Sequence, residues 1–209
     1  MYLTQFEINT KRRQSRALLA SAHRLHAAVL ASFPGEADTG RVLWRLDQGD
    51  HGRRELWISS VTPPDLSALV EGCGWPASAT WRTADTSGLL GRLAAGQRWR
   101  FRLTANPVVS KAASGGRGRV VPLTLSGCLP WLEFRAPKAG FTVADGDVLV
   151  SRLETLRFQR GNQRVVLRQA QFDGSLTVTD PVALRGAMHQ GIGRARGYGC
   201  GLMTLAPVS

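Results

Sequence analysis

Histidine is scarce in this 209-residue chain, so its placement carries information. His23 and His26 are spaced i, i+3 within one helical pattern and project from one helix face. An imidazole with an ordinary pKa near ~6.5 can take or give a proton at neutral pH. Two on one face could serve as base and acid in cleaving a phosphodiester. Such pairs also occur as plain surface features of helices, and spacing alone does not separate the two readings. Of the others, His51 lies in a polar turn and reads as solvated, and His189 ends a helix, where a cation suits the dipole.

A second feature is the run from Gly191 to Gly201, which holds five glycines in eleven residues. It lacks the Lys-Ser/Thr of a P-loop, its spacing is not G-x-G-x-x-G, and it leaves a helix and enters a strand. What remains is a loop whose bare backbone at Gly191 and Gly193 can approach phosphates, flanked by Arg194 and Arg196. The alternative is a tight helix-to-strand connection that needs positive φ.

A third feature is basic. Arg152, Arg157, Arg160, Arg164 and Arg168 stand against one acid, Glu154, across residues 151–170, with Gly161-Asn162 as a turn. An arginine-bearing two-stranded ribbon can lie against a nucleic acid, and on A-form RNA its contacts are to phosphate and shape. Charge on a sheet edge also protects against aggregation, which is the competing explanation. Lys111, Arg117 and Arg119, in a Gly-rich stretch, join the residues expected to meet RNA.

Composition supports a nucleic-acid partner. The net charge is +12, and 24 of the 27 basic residues are Arg, which keeps its charge and offers a planar fork for phosphate oxygens. A GC-rich genome explains the Arg:Lys ratio but not the net charge. The excess is +5 over residues 1–110 and +7 over the remainder. No H-E-x-x-H, paired-carboxylate cluster or G-x-S-x-G is present, so neither a metal nor another cofactor is expected. Cys73, Cys128 and Cys200 are dispersed and odd in number, which fits small core hydrophobes in a reducing cytoplasm. No apolar run approaches the ~18 residues of a membrane span, and Met1 leads directly into an alternating segment rather than a signal peptide.

The elements that must position these residues follow from periodicity. Tyr2, Thr4, Phe6 and Ile8 share one face of a strand. Leu18 to Phe33 is helical, with Ser21 as an N-cap and Pro34-Gly35 as a stop. Strands are expected at Val42–Leu46 and Glu55–Ile58, a short helix after Asp65, and a closing strand where Trp99, Phe101 and Leu103 alternate with Arg98, Arg100 and Arg102. This βαββαβ order is ferredoxin-like. Residues 106–119 read as a linker. A second such unit follows: a strand from Val120, a helix over Cys128–Arg135, strands at Phe141, Val148–Phe158 and Val165–Thr179 with a tight turn at Asp173-Gly174, a helix opened by Asp180-Pro181, and a last strand at Leu202–Leu205. The expected organisation is α+β, with domains at 1–113 and 114–209.

From end to end the chain resembles the CasE family, the CRISPR repeat-processing endoribonucleases of type I-E Cascade complexes. The resemblance rests on Met1-Tyr2-Leu3-Thr4, Leu25-His26, Phe33-Pro34, Leu43-Trp44-Arg45-Leu46, Phe101 through Pro107, Gln171-Phe172-Asp173-Gly174 and the glycine loop running into Leu202–Pro207. It implies tandem ferredoxin-like (RRM-like) domains that bind a CRISPR repeat stem-loop and cut at its 3′ base. It also implies metal-independent attack by the 2′-hydroxyl, leaving a 2′,3′-cyclic phosphate and a 5′-hydroxyl, with the guide RNA retained among other Cascade subunits. His26 matches the family's catalytic histidine. Three residues earlier the family carries Tyr where this chain has His23, which leaves the acid/base division open. A stem-loop RNA-binding subunit without cleavage is the alternative. The hairpin from Arg157 to Arg168 matches the family's insertion toward the RNA stem.

Overall fold

Alternation along the first segment folds as the pattern predicts, with Thr4, Phe6 and Ile8 buried along β1 (Tyr2–Ile8). The computed structural model of the protein describes residues 1–33, 35, 40–49, 52–75, 81–113 and 116–208. The expected stop at Pro34 and the turn residue His51 lie outside the described residues, as does the side chain of Arg117.

β1 is central in an antiparallel sheet ordered β2-β3-β1-β4, formed with β2 (Leu43–Gln48), β3 (Arg54–Ser60) and β4 (Trp81–Asp85). Helices α1 (Arg13–Leu19) and α2 (Ala22–Leu30) join β1 to β2, and α3 (Ser67–Cys73) lies between β3 and β4. The short helix α4 (Ser87–Gly91) follows β4. This is the ferredoxin-like order, and its core joins Phe6, Ile8, Leu56 and Ile58 to Leu25, Val29 and Leu69.

The strand expected to close this sheet lies elsewhere. β5 (Arg98–Ala105) sits between β10 (Gln163–Val178) and β11 (Met203–Pro207) in the second sheet, which runs β11-β5-β10-β8, with β9 (Val148–Arg160) also on β10 and β8 at Phe141–Thr142. The closing strand is β4, an edge strand that is mostly exposed and therefore carries little apolar alternation to read. Sheet membership thus changes between Asp85 and Arg98, not at the expected boundary of 113; residue 114 is outside the described residues. Helices α5 (Leu125–Arg135) and α6 (Pro181–Gln190) complete a second βαββαβ order. Its core gathers Phe101, Leu103, Trp131, Leu132, Phe141, Phe172 and Leu184. Asp180 caps α6, accepting from the N–H of Val182 at 2.9 Å and of Ala183 at 3.0 Å.

Two further expectations change. The presumed linker is a hairpin, β6 (Val108–Ala113) against β7 (Gly116–Pro122), in register Val109↔Val121 and Lys111↔Arg119, because valines on both arms pair across it. Asp173-Gly174 is not a turn, since β10 passes through it unbroken. Glycine is needed there because a Cβ would collide with the Asp147 carbonyl and Val148, and the Asp173 carboxylate is held inside an ion-pair network.

That network joins the two sheets. Strand alternation in β2 sends Trp44 toward α2 and Arg45 toward the second sheet. Buried Arg45 pairs with Asp47 (2.7 Å) and donates to the carbonyls of Arg102 and Leu202. Arg102 in turn bridges Asp47 (3.2 Å) and Asp173 (2.5 Å). All three cysteines are buried and free, and burial pushes the Cys200 thiol up to about 12. Among the described residues no helix is long and apolar enough to cross a membrane.

Candidate active site

Ser21 caps α2 by accepting from the Arg24 N–H, and helical spacing then buries Ala22, Leu25 and Val29. His23 and His26 fall half-buried on the flank of that apolar stripe. β2 supplies the partner on one side, where the Trp44 indole Nε1–H donates to Nδ1 of His26 at 3.1 Å. The glycine loop supplies the other side. A Cβ on Gly199 would meet the Trp44 ring at 2.7 Å, and one on Gly197 would lie 3.2 Å from His26 Nε2. The imidazole is therefore held between an indole at Nδ1 and bare backbone at Nε2.

His26 opens on a cavity of about 420 Å³ shared with Arg41, Gln190, Arg196 and Gly197. Arg41 Nε donates to Gln190 Oε1 at 3.3 Å. Arg196 Nε is buried with no hydrogen-bond partner among the described residues. Burial and then the nearby Arg41 cation lower the Arg196 pKa, yet a guanidinium stays charged at any working pH. Neither arginine is ion-paired with a carboxylate among the described residues. Two guanidiniums beside an imidazole make a receptor for an anion with several oxygens. Burial, then the charge of His23, holds the His26 pKa below its ordinary value, which favours the neutral ring at neutral pH.

The residues expected to meet RNA separate into distinct places. Arg196 enters the His26 cavity, whereas Arg194, two positions earlier and exposed, lines another cavity of about 550 Å³ with Trp131, Phe134 and Arg135. Gly191 (φ 78°) is buried, and its Cβ would meet Leu43 at 2.8 Å. Gly193 (φ 87°) faces Trp131. Both serve the left-handed, closely packed connection.

In the β9–β10 hairpin, the register Arg157↔Val166, Gln159↔Arg164 and Thr155↔Arg168 puts Arg157, Arg164 and Arg168 on one face. The opposite face buries Phe158 and Leu167 in the core of the first unit, with the Phe158 ring 4.9 Å from Tyr198. Arg160 is exposed at the tip on that second face. Arg168 is half-buried and donates to the Leu123 carbonyl. Lys111 and Arg119 are exposed cross-strand partners. His23 shares the helix with His26 but does not line the cavity.

Sequence reasoning missed Arg41, Gln190, Trp44 and Gly197 as site residues. Trp44 and Gly197 stood within recognised motifs, but nothing local marked them as the two walls of a histidine. Arg41 precedes a strand with no pattern of its own.

A family model described as "CRISPR associated protein" matches residues 1–207. The chain is 30% identical over 221 aligned positions to the CRISPR-associated endoribonuclease Cse3 of Thermus thermophilus, covering 99% of this chain and 100% of that protein. It is 27% identical over 219 positions to the CRISPR system Cascade subunit CasE of Escherichia coli, covering both fully. A structure of Thermus thermophilus Cse3 bound to an RNA representing a pre-cleavage complex superposes with a TM-score of 0.83 at 28% identity, covering 99% of this chain and 98% of that one.

Proposed function

Because the chain belongs to the family of CRISPR-associated proteins that includes Cse3 and CasE, we propose that it is the endoribonuclease that processes CRISPR repeat RNA in a type I-E system. It binds the repeat stem-loop, cuts precursor RNA at the 3′ base of the stem, and stays with the guide RNA as a Cascade subunit. The domains on this reading divide between Asp85 and Arg98, and the cut is made where they meet.

The observation that carries this reading is the cavity in which His26 from α2 faces Arg41, Arg196 and Gly197. In the reaction the 2′-oxygen bonds to phosphorus as the bond to the 5′-oxygen breaks, giving a 2′,3′-cyclic phosphate and a 5′-hydroxyl. The 2′-hydroxyl proton passes to a base and the 5′-oxygen gains one, with His23 and His26 as the titratable groups at hand. Arg41 and Arg196 meet the charge that grows on the phosphorane oxygens. The arginine face of the β9–β10 hairpin grips the stem and fixes the in-line geometry. No metal is required for these steps.

Incubating the protein with its own repeat hairpin in EDTA tests the proposal. Cleavage should occur, stop when the ribose upstream of the scissile phosphate is 2′-deoxy, and fall to background in His26→Ala. Wild-type cutting by His26→Ala would refute the assignment. The imidazole at position 23 favours a second reading, a stem-loop binder that does not cut. Tight binding of an intact all-ribose repeat would establish it.

A further inference from the structure

Trp44 is a donor only, since an indole nitrogen has no lone pair to offer. Its hydrogen bond to His26 Nδ1, at 3.1 Å, can form only if that nitrogen is unprotonated. A neutral imidazole carries a single N–H, so the proton must then sit on Nε2, the nitrogen that faces Gly197 and the cavity.

Trp44 cannot easily move away from this contact. It is buried in the first core, and Gly199 packs against its ring where any side chain would clash. Among the described residues, the charged and titratable groups that share this cavity with His26 or act on it are His23 on α2, Arg196 in the glycine loop and Arg41 before β2. No carboxylate among the described residues is ion-paired with the ring.

We propose that Trp44 is a positioning residue that fixes His26 as the Nε2–H tautomer, so that His26 presents a hydrogen-bond donor to the substrate phosphate. This inference rests on the endoribonuclease reading only for the identity of that substrate. Between Arg41 and Arg196, the neutral Nε2–H points where negative charge grows on the phosphorane oxygens. In this tautomer Nε2 has no lone pair with which to accept the 2′-hydroxyl proton. That task falls to His23, the other imidazole on the same helix flank, and the departing 5′-oxygen takes its proton from the imidazolium so formed. The basic surroundings reinforce the arrangement, because burial and the His23 charge both disfavour the imidazolium, whose Nδ1–H would oppose the indole N–H.

The test is made first on the free protein, without RNA, so its outcome does not depend on cleavage. With ¹⁵N-labelled histidine above pH 7.5, long-range ¹H–¹⁵N spectra should show His26 with a pyridine-like Nδ1 and a protonated Nε2. Trp44→Phe, which keeps a ring but removes the donor, should populate the Nδ1–H tautomer. It should slow single-turnover cleavage at least tenfold while the repeat-RNA Kd stays within about threefold. A wild-type His26 protonated on Nδ1, or a tautomer unchanged by Trp44→Phe, overturns the proposal. Should Trp44→Phe fail to fold, the wild-type indole N–H decides the matter. Its resonance should shift as His26 titrates and move in His26→Ala, and an indifferent resonance refutes the contact.

Discussion

Gly197→Ala adds one methyl group to the site and little else. Gly197 is not among the glycines held at positive φ, so alanine suits the backbone, and the small gain from a stiffer unfolded chain is set against the contact its methyl makes. The new Cβ would lie 3.2 Å from His26 Nε2, 3.4 Å from Cδ2 and 3.6 Å from Cε1, tighter at the nitrogen than ordinary van der Waals contact. The ring has to yield by a few tenths of an ångström, yet Trp44 holds its far side at 3.1 Å. The methyl also occupies the approach that a phosphate oxygen would take to Nε2. A hydrogen bond to a charged group is worth about 1.5–3 kcal/mol, so losing it should slow cleavage between about tenfold and a hundredfold. On the proposed reading stem binding rests on the arginine face of the hairpin, which the methyl does not alter, and should stay within about threefold. The measurements are single-turnover cleavage of the cognate repeat, RNA affinity by filter binding, and thermal unfolding. Cleavage within twofold of wild type by a folded Gly197→Ala protein would refute the placement of the reacting phosphate beside Gly197.

Three other outcomes follow from the same geometry. His23→Tyr should retain much of the cleavage activity and His23→Ala should lose more; equal and negligible effects in the same assay would make His23 a bystander. Arg157→Ala and Arg164→Ala, on the exposed hairpin face, should each weaken repeat binding and lower the slope of log K against log salt by about 1, whereas Arg168→Ala, tied to the Leu123 carbonyl, should change the slope less. Burial opposes the Asp173 charge, but hydrogen bonds from Ser151, Arg102 and Gln171 outweigh it and hold its pKa below the usual carboxylate value. The stability it adds is therefore complete above the unfolded value near ~3.9 and lost as pH falls below it toward the folded value, so urea midpoints of Asp173→Asn should decline less than wild type across that acid range.

Much of the fold was legible because local periodicity reports which face of an element is buried. Thr4, Phe6 and Ile8 announced β1, Ser21 and Asp180 announced the starts of two helices, and Gly161-Asn162 announced the turn of the basic hairpin. Misreadings arose where that signal is weak or ambiguous. The exposed edge strand β4 carries too little apolar alternation to stand out, so the alternation at Trp99, Phe101 and Leu103 reads as the closing strand although β5 belongs to the second sheet. Asp173-Gly174 has the composition of a turn, but its glycine serves a close backbone approach and its aspartate an ion pair with Arg102.

The sequence by itself determined the basic excess of +12, the α+β order of elements, the i, i+3 histidines on one helix flank, and the arginines of the hairpin. These are properties of composition and of spacing within one element. Tertiary structure alone decided that Trp44 meets one nitrogen of His26 and Gly197 the other, that Arg196 turns into the same cavity while Arg194 turns away, and that Arg41 joins them. Periodicity dictates which face of a strand or helix turns inward, but not which distant face it meets. That pairing is set by how the two sheets pack through Arg45, Asp47 and Arg102, and by the buried hairpin face that locks β9 and β10 onto the first unit.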